Sequence, residues 1–167
     1  GLQNKQAQNI TATEKIVKSE NSQVFTLDAK NSGKGTLTYS SSDNNVAMVD
    51  ALGNVSVNGA GTATITVKAT ATEEFAPAEK TIKITVTPNA VNISKITVKG
   101  KKVKVAWSKN SNAVGYQIKL SKNKNFKKVV KTVNVSNTAK TATVKKLKKK
   151  TTYYVKVRAY ILVDNVK

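Results

Sequence analysis

Apolar residues recur at every second position in short bursts along this chain, separated by clusters of Gly, Asn, Ser and Asp. A period of two predicts β-strands, because successive side chains of a strand point to opposite faces of a sheet. In the first half the bursts are Phe25-Leu27-Ala29, Leu37-Tyr39, Val55-Val57, Ala63-Ile65-Val67 and Ile82-Ile84-Val86. Asn31-Ser32-Gly33, Ser41 to Asn45 and Gly59-Ala60-Gly61 lie between them, residues that accept positive φ or bond their own backbone in turns. Thr62, Thr64 and Thr66 fill the alternate positions of one burst, as a solvated strand face requires. The second half continues with Val103-Val105-Trp107, Tyr116-Ile118-Leu120, Ala142-Val144 and Tyr153-Val155-Val157-Ala159. Cations alternate with these bursts at Lys102, Lys104, Lys119, Lys156 and Arg158, the pattern of antiparallel sheet with one wet face. No stretch carries a helical period, so the expected class is all-β.

Charge divides the chain in two. Residues 1–88 hold eight lysines against eight acids, whereas residues 89–167 hold twenty lysines and Arg158 against Asp164 alone. Such different charge balances point to two domains, and Pro88, which lacks a ladder donor, marks the boundary. The polar residues 1–12, including Gln3 to Asn9, are read as an N-terminal linker. The chain begins at Gly1 and shows no signal peptide, so it is read as a mature fragment or expressed piece.

There is no histidine and no cysteine, which removes Ser-His-Asp and Cys-His catalysis, disulfides, thiolate metal sites and imidazole ligands. The carboxylate groupings are Glu73-Glu74 and Asp43 with Asp50, in expected turns rather than across a cleft. No enzymatic activity, metal or cofactor is therefore expected. Asp43, Asn44, Asn45 and Asp50 offer oxygens to a Ca²⁺, but at no established spacing, and a self-satisfied turn is the favoured reading. No apolar run is long enough for a membrane span.

Two sets of residues carry family resemblances. Tyr39-Ser40-Ser41-Ser42-Asp43, Val46 to Asp50, Gly53-Asn54-Val55 and Gly59 to Val67 together resemble the group 2 bacterial immunoglobulin-like domain, here over residues 13–88. Tyr39 stands where that family commonly has Trp. Residues 89–167 resemble a fibronectin type III domain through Val103 to Trp107, Gly115 to Ile118 and Leu147 to Tyr160. Trp107 is the expected core tryptophan, and Leu147 and Tyr153 fit a tyrosine corner. The resemblance implies two immunoglobulin-like β-sandwiches in tandem. The residues after Tyr160 are too few for a full seventh strand, so the last strand is expected to be incomplete. That would leave an edge open to strand addition by another chain on a protein otherwise expected to be a monomer.

Parity selects a candidate site. If Tyr153, Val155, Val157 and Ala159 point inward, then Tyr154, Lys156, Arg158 and Tyr160 point outward together. The neighbouring strand adds Gln117 and Lys119 to that face. Tyrosines interleaved with cations suit a polyanion or glycan; the competing reading is a solvated sheet face. Lysine groups at 99–104, 122–131 and 145–150 are read as separate solvated turns, each acting locally over a Debye length of about 8 Å. An anionic cell-wall polymer, or a host glycan or protein, is the expected partner, and no specific nucleic-acid motif is present. The resemblance implies a bacterial extracellular or cell-wall setting and a role as spacer and adhesion module. The alternative is a set of accessory substrate- or wall-binding modules of a secreted polysaccharide-processing enzyme whose catalytic domain lies elsewhere.

Overall fold

Fifteen strands and no helix account for the regular structure of the computed structural model, which describes residues 4–167. The chain divides into two units between Thr87 and Pro88. In the first unit the strands are β1 (Ile10–Thr11), β2 (Lys15–Ser19), β3 (Phe25–Thr26), β4 (Lys30–Asn31) and β5 (Leu37–Ser41). They continue with β6 (Ala47–Val49), β7 (Asn54–Val57), β8 (Gly61–Ala69) and β9 (Ala78–Thr87). One sheet has the order β2-β9-β8-β5 and another β3-β7-β6, with β1 and β4 as a short pair. Val55, Ile65, Val67, Ile82, Ile84 and Val86 are fully buried among them, while Thr62 and Thr64 face solvent. The alternation therefore sorts apolar side chains to one side of β8 and hydroxyls to the other. At the β6–β7 turn Gly53 has φ 82°, and a Cβ there would press on the Tyr39 ring at 3.0 Å. Only glycine fits both demands.

The N-terminal linker reading needs correction. Residues 1–3, Gln3 among them, lie outside the described residues, but Gln6 to Thr11 belong to the first unit. Gln6 pairs with Phe75 in a parallel bridge, and Ile10 joins the core. Gln8 is only 4% exposed. Its Nε2 donates to the carbonyls of Thr70 and Ala76 at 2.9 and 2.7 Å, and its Oε1 accepts from Asn31 Nδ2 and the Gly35 N–H. A side chain that reads as solvated in sequence is here a fully bonded amide inside a loop cluster.

The second unit contains β10 (Ile93–Lys99), β11 (Lys102–Trp107), β12 (Gly115–Ser121), β13 (Val129–Ser136), β14 (Thr141–Val144) and β15 (Tyr154–Tyr160). Two three-stranded sheets, β10-β11-β14 and β13-β12-β15, hold Val105, Tyr116, Ile118 and Leu120 fully buried. Trp107 lies 5.4 Å from Tyr116 between ring centroids. The Tyr116 hydroxyl reaches the buried end of its slot and bonds Asn110, accepting from its N–H at 2.8 Å. Before β15 the chain turns sharply: the Lys148 N–H donates to the Tyr153 hydroxyl at 3.0 Å, and the Leu147 N–H to the Lys101 carbonyl at 2.9 Å. These bonds fix where β15 starts, and hence which of its residues face out.

Two predictions follow from this packing. In denaturant unfolding followed by Trp107 fluorescence, Ile118→Ala should cost about 2–5 kcal/mol, against about 0.5–1.5 kcal/mol for Tyr153→Phe; equal losses would mean that the corner, not the core, carries the unit. The second concerns Asp50, whose carboxylate accepts the N–H groups of Asn54 and Leu52 and the Asn54 side chain. The Asn54 backbone bond, then its side chain, holds that carboxyl below its ordinary value. The stabilisation is therefore present above the unfolded pKa near 4 and is lost as pH falls through the lower folded value. Asp50→Asn should flatten the acid limb of the pH–stability curve below about pH 4, and an unchanged limb would contradict the turn's role.

Candidate functional site

The outward side of β13-β12-β15 is set by strand register. Gln117 lies opposite Arg158, Lys119 opposite Lys156, and Gly115 opposite Tyr160. On the other flank Gln117 faces Asn134 and Lys119 faces Thr132. The six residues selected by parity are thus neighbours on one surface, but they differ in availability. Gln117 is 9% exposed, because its Oε1 accepts from Arg158 Nε at 2.9 Å and its Nε2 donates to Asn134 Oδ1 at 3.0 Å. It orients the guanidinium and cannot itself reach a ligand, a correction to its reading as a contact. Tyr160 lies over Gly115, where a Cβ would sit 2.5 Å from the tyrosine hydroxyl, and Lys167 Nζ stands 5.2 Å from its ring centroid. Tyr154, Lys156 and Arg158 are exposed and Lys119 is half-exposed.

Lys119 and Lys156 present a like-charge pair directly across two antiparallel strands, an arrangement that costs stability. Part of the cost is offset by Phe126, whose ring centroid lies 4.4 Å from Lys156 Nζ. Phe126 adopts φ 53°, unusual for a bulky side chain, in the connection between β12 and β13. Sequence reading missed this ring; the signal was a lone aromatic inside a loop otherwise rich in Lys and Asn.

The three lysine groups read as separate turns prove to share one end of the second unit. The β10–β11 turn, the β12–β13 connection and the β14–β15 connection all fall there, since β11 pairs with the end of β14 and β12 with the start of β15. The connection 122–128 brings four lysines and the connection 145–153 five, with Lys101 between Lys99 and Lys102 at the third turn. The one acid of the unit, Asp164, follows β15 at the opposite end. This end can attract an anion, and the Lys119-Lys156-Arg158 stripe runs away from it along the sheet.

Asp43 and Asp50 of the first unit are occupied with their own turns, and other carboxylates there pair across the unit. Asp43 Oδ1 accepts from the Asn45 N–H at 2.9 Å, and Glu74 meets Lys34 at 3.5 Å on the surface. No group of three or more metal-ligating side chains occurs among the described residues. No helix among them is long and apolar enough to cross a membrane.

Residues 26–72 match the family described as "Intimin, immunoglobulin-like domain", and residues 86–162 match "Fibronectin type III domain". Among solved structures the chain is similar to the chicken CNTN1 FN1-FN3 domains, with 15% identity and a TM-score of 0.42, covering 93% of this chain and 59% of that one. It is also similar to the M60 catalytic domain with the CBM51-1 and CBM51-2 domains from Clostridium perfringens ZmpB. There the identity is 9% and the TM-score 0.32, with 92% of this chain and 21% of that one covered. The chain spans less than two thirds of either. No curated protein matches significantly.

The like-charge pair is directly testable. Lys119→Glu should form an opposite-charge pair with Lys156 and raise stability by about 0.2–1 kcal/mol in dilute buffer. The gain should vanish near 1 M salt, where the Debye length falls to about 3 Å. No gain at low salt would mean that the two ammonium groups do not sense each other.

Proposed function

We propose that this chain, an immunoglobulin-like domain of the intimin type followed by a fibronectin type III domain, is a spacer and adhesion region whose second domain grips anionic polysaccharide. Both domain types are in general non-catalytic modules of modular surface proteins. The polymer in this reading is an acidic cell-wall polysaccharide or teichoic acid, or a host glycosaminoglycan, at a bacterial surface. The observation that carries it is the acid-free stripe of Lys119, Lys156 and Arg158 continuing into the lysine-rich end.

The chemistry is that of charge neutralisation. With Asp164 as its only acid, the second domain cannot pair its cations internally, and self-repulsion works against the compact state. A polyanion lying along the stripe relieves the Lys119–Lys156 repulsion and meets Arg158, whose Nε is held by Gln117. The terminal nitrogens of a guanidinium fixed in this way suit sulfate, phosphate or carboxylate groups. Tyr154 and Phe126 offer rings beside the cations against which sugar faces can pack. The first domain, with balanced charge, supplies reach rather than affinity.

The test is titration of the chain with heparin, teichoic acid and duplex DNA at about 0.15 M salt. Lys156→Ser with Arg158→Ser should weaken polysaccharide binding about tenfold, near 1.4 kcal/mol. Removing the same charge from the other sheet, by Lys95→Ser with Lys104→Ser, should weaken it less than about threefold. Equal losses would show diffuse attraction and contradict a site on this face. Absence of binding to every polyanion would leave spacing alone.

A further inference from the structure

The first unit brings its entering and leaving segments together along one ladder. Strand β2 lies beside β9, the last strand of the unit, and the two run parallel from Lys15 opposite Lys83 to Ser19 opposite Thr87. The Lys83 N–H donates to the Glu14 carbonyl at 2.7 Å and the Glu20 N–H to the Thr87 carbonyl at 3.0 Å, one bond at each end of the ladder. Ile16 and Lys18 therefore turn their backbone groups toward β9, and Val17 turns its own away. Side chains add two further ties. Lys80 Nζ meets Glu14 Oε1 at 2.8 Å, and the Thr87 hydroxyl donates to the Lys18 carbonyl at 3.3 Å. Ahead of β2 the pattern repeats: the Gln6 N–H donates to the Glu74 carbonyl and the Ala76 N–H to the Gln6 carbonyl, both at 2.8 Å, again in parallel.

We propose that the first unit is a force-bearing link, in which tension passing through the chain is resisted by shear of β2 against β9. The chain enters β2 at the end away from Thr87 and leaves β9 at Thr87. Tension therefore drags the two strands past each other along their length. The ladder bonds lie across the direction of pull, so they share the load and must break together. In an antiparallel pair the entering and leaving ends would lie side by side, and the same tension would open the bonds one at a time. Strand β9 is held to β8 over nine positions and to β2 over five, so β2 is the element that yields. The Gln6 bridge and the buried Gln8 amide, ahead of β2, take the load first. This role rests on the spacer reading, in which the unit lies between what holds the chain and what the chain grips; the clamp itself needs no ligand.

Because the chain has no cysteine, it can be held at chosen points in a single-molecule pulling experiment on the full chain. Handles on Lys5→Cys and Ala90→Cys load the first unit through its two ends. Handles on Gln23→Cys, in the connection after β2, and Ala90→Cys pull both strands from the Thr87 end and peel the ladder. All three positions are exposed. Unfolding under load is governed by its rate, and at one constant force the first geometry should survive on the order of tenfold longer than the second. Equal lifetimes, or a longer one in the second geometry, would overturn the proposal, and this comparison leaves every ladder bond in place. Within the first geometry, Lys18→Pro should shorten the lifetime about fivefold through its lost ladder donor, against less than about twofold for Val17→Pro, whose N–H faces away. Equal shortening by the two would also overturn it. No polyanion is present in the measurement, so failure of the clamp leaves the polysaccharide reading standing, and failure of polyanion binding leaves the clamp standing.

Discussion

The antiparallel register of β12 against β15 is the constraint on which the second unit depends. Pairing Ile118 with Val157 and Leu120 with Val155 sends those four side chains to the core side, where Ile118 and Leu120 are fully buried. The same register leaves Lys119, Lys156 and Arg158 on the outside with Gln117 beneath the guanidinium. A slip of one residue would bury the cations and expose the valines, so hydrophobic burial holds the charged stripe in place. The Tyr153 corner reinforces the choice by fixing the first residue of β15 through the Lys148 N–H.

Charge is arranged against stability here, and the fold tolerates it by geometry. Lysines are collected in turns at one end and on a wet face, where water and salt screen them, rather than between the sheets. The interior remains apolar, built on Val105, Tyr116, Ile118 and Leu120. Small sandwiches of this size bury a smaller fraction of their surface than larger domains do. A unit with that balance gains from any ligand that neutralises lysines.

Much of this was legible in the sequence because β-structure has the simplest of periodicities. The bursts around Ile65, Ile84, Val105, Ile118 and Val157 became strands with the expected faces, and Leu147 and Tyr153 formed the corner. Features that depend on long-range placement were not legible. Strand β2 pairs in parallel with β9 across most of the first unit, a contact with no local signal in Lys15 to Ser19. Strand β10 shows weak alternation because half of what should be its buried face is open, at Ile96 and Val98. Gln8 looks like linker and Gln117 like a surface contact, because a polar side chain does not announce which hydrogen bonds will bury it. The lysine groups looked separate along the chain, and only strand order brings their three turns to one end.

The absence of cysteine makes the register open to direct measurement. Cysteines placed at Lys119 and Lys156 should cross-link under mild oxidation, because directly opposed positions bring their Cβ atoms to within about 4.5–5.5 Å, a small movement from the roughly 3.5–4.5 Å that a disulfide spans. A pair at Lys119 and Val157 should stay reduced under the same conditions, since alternation puts those side chains on opposite faces. Rapid cross-linking of the second pair and not the first would mean a shifted register, and with it no cationic stripe.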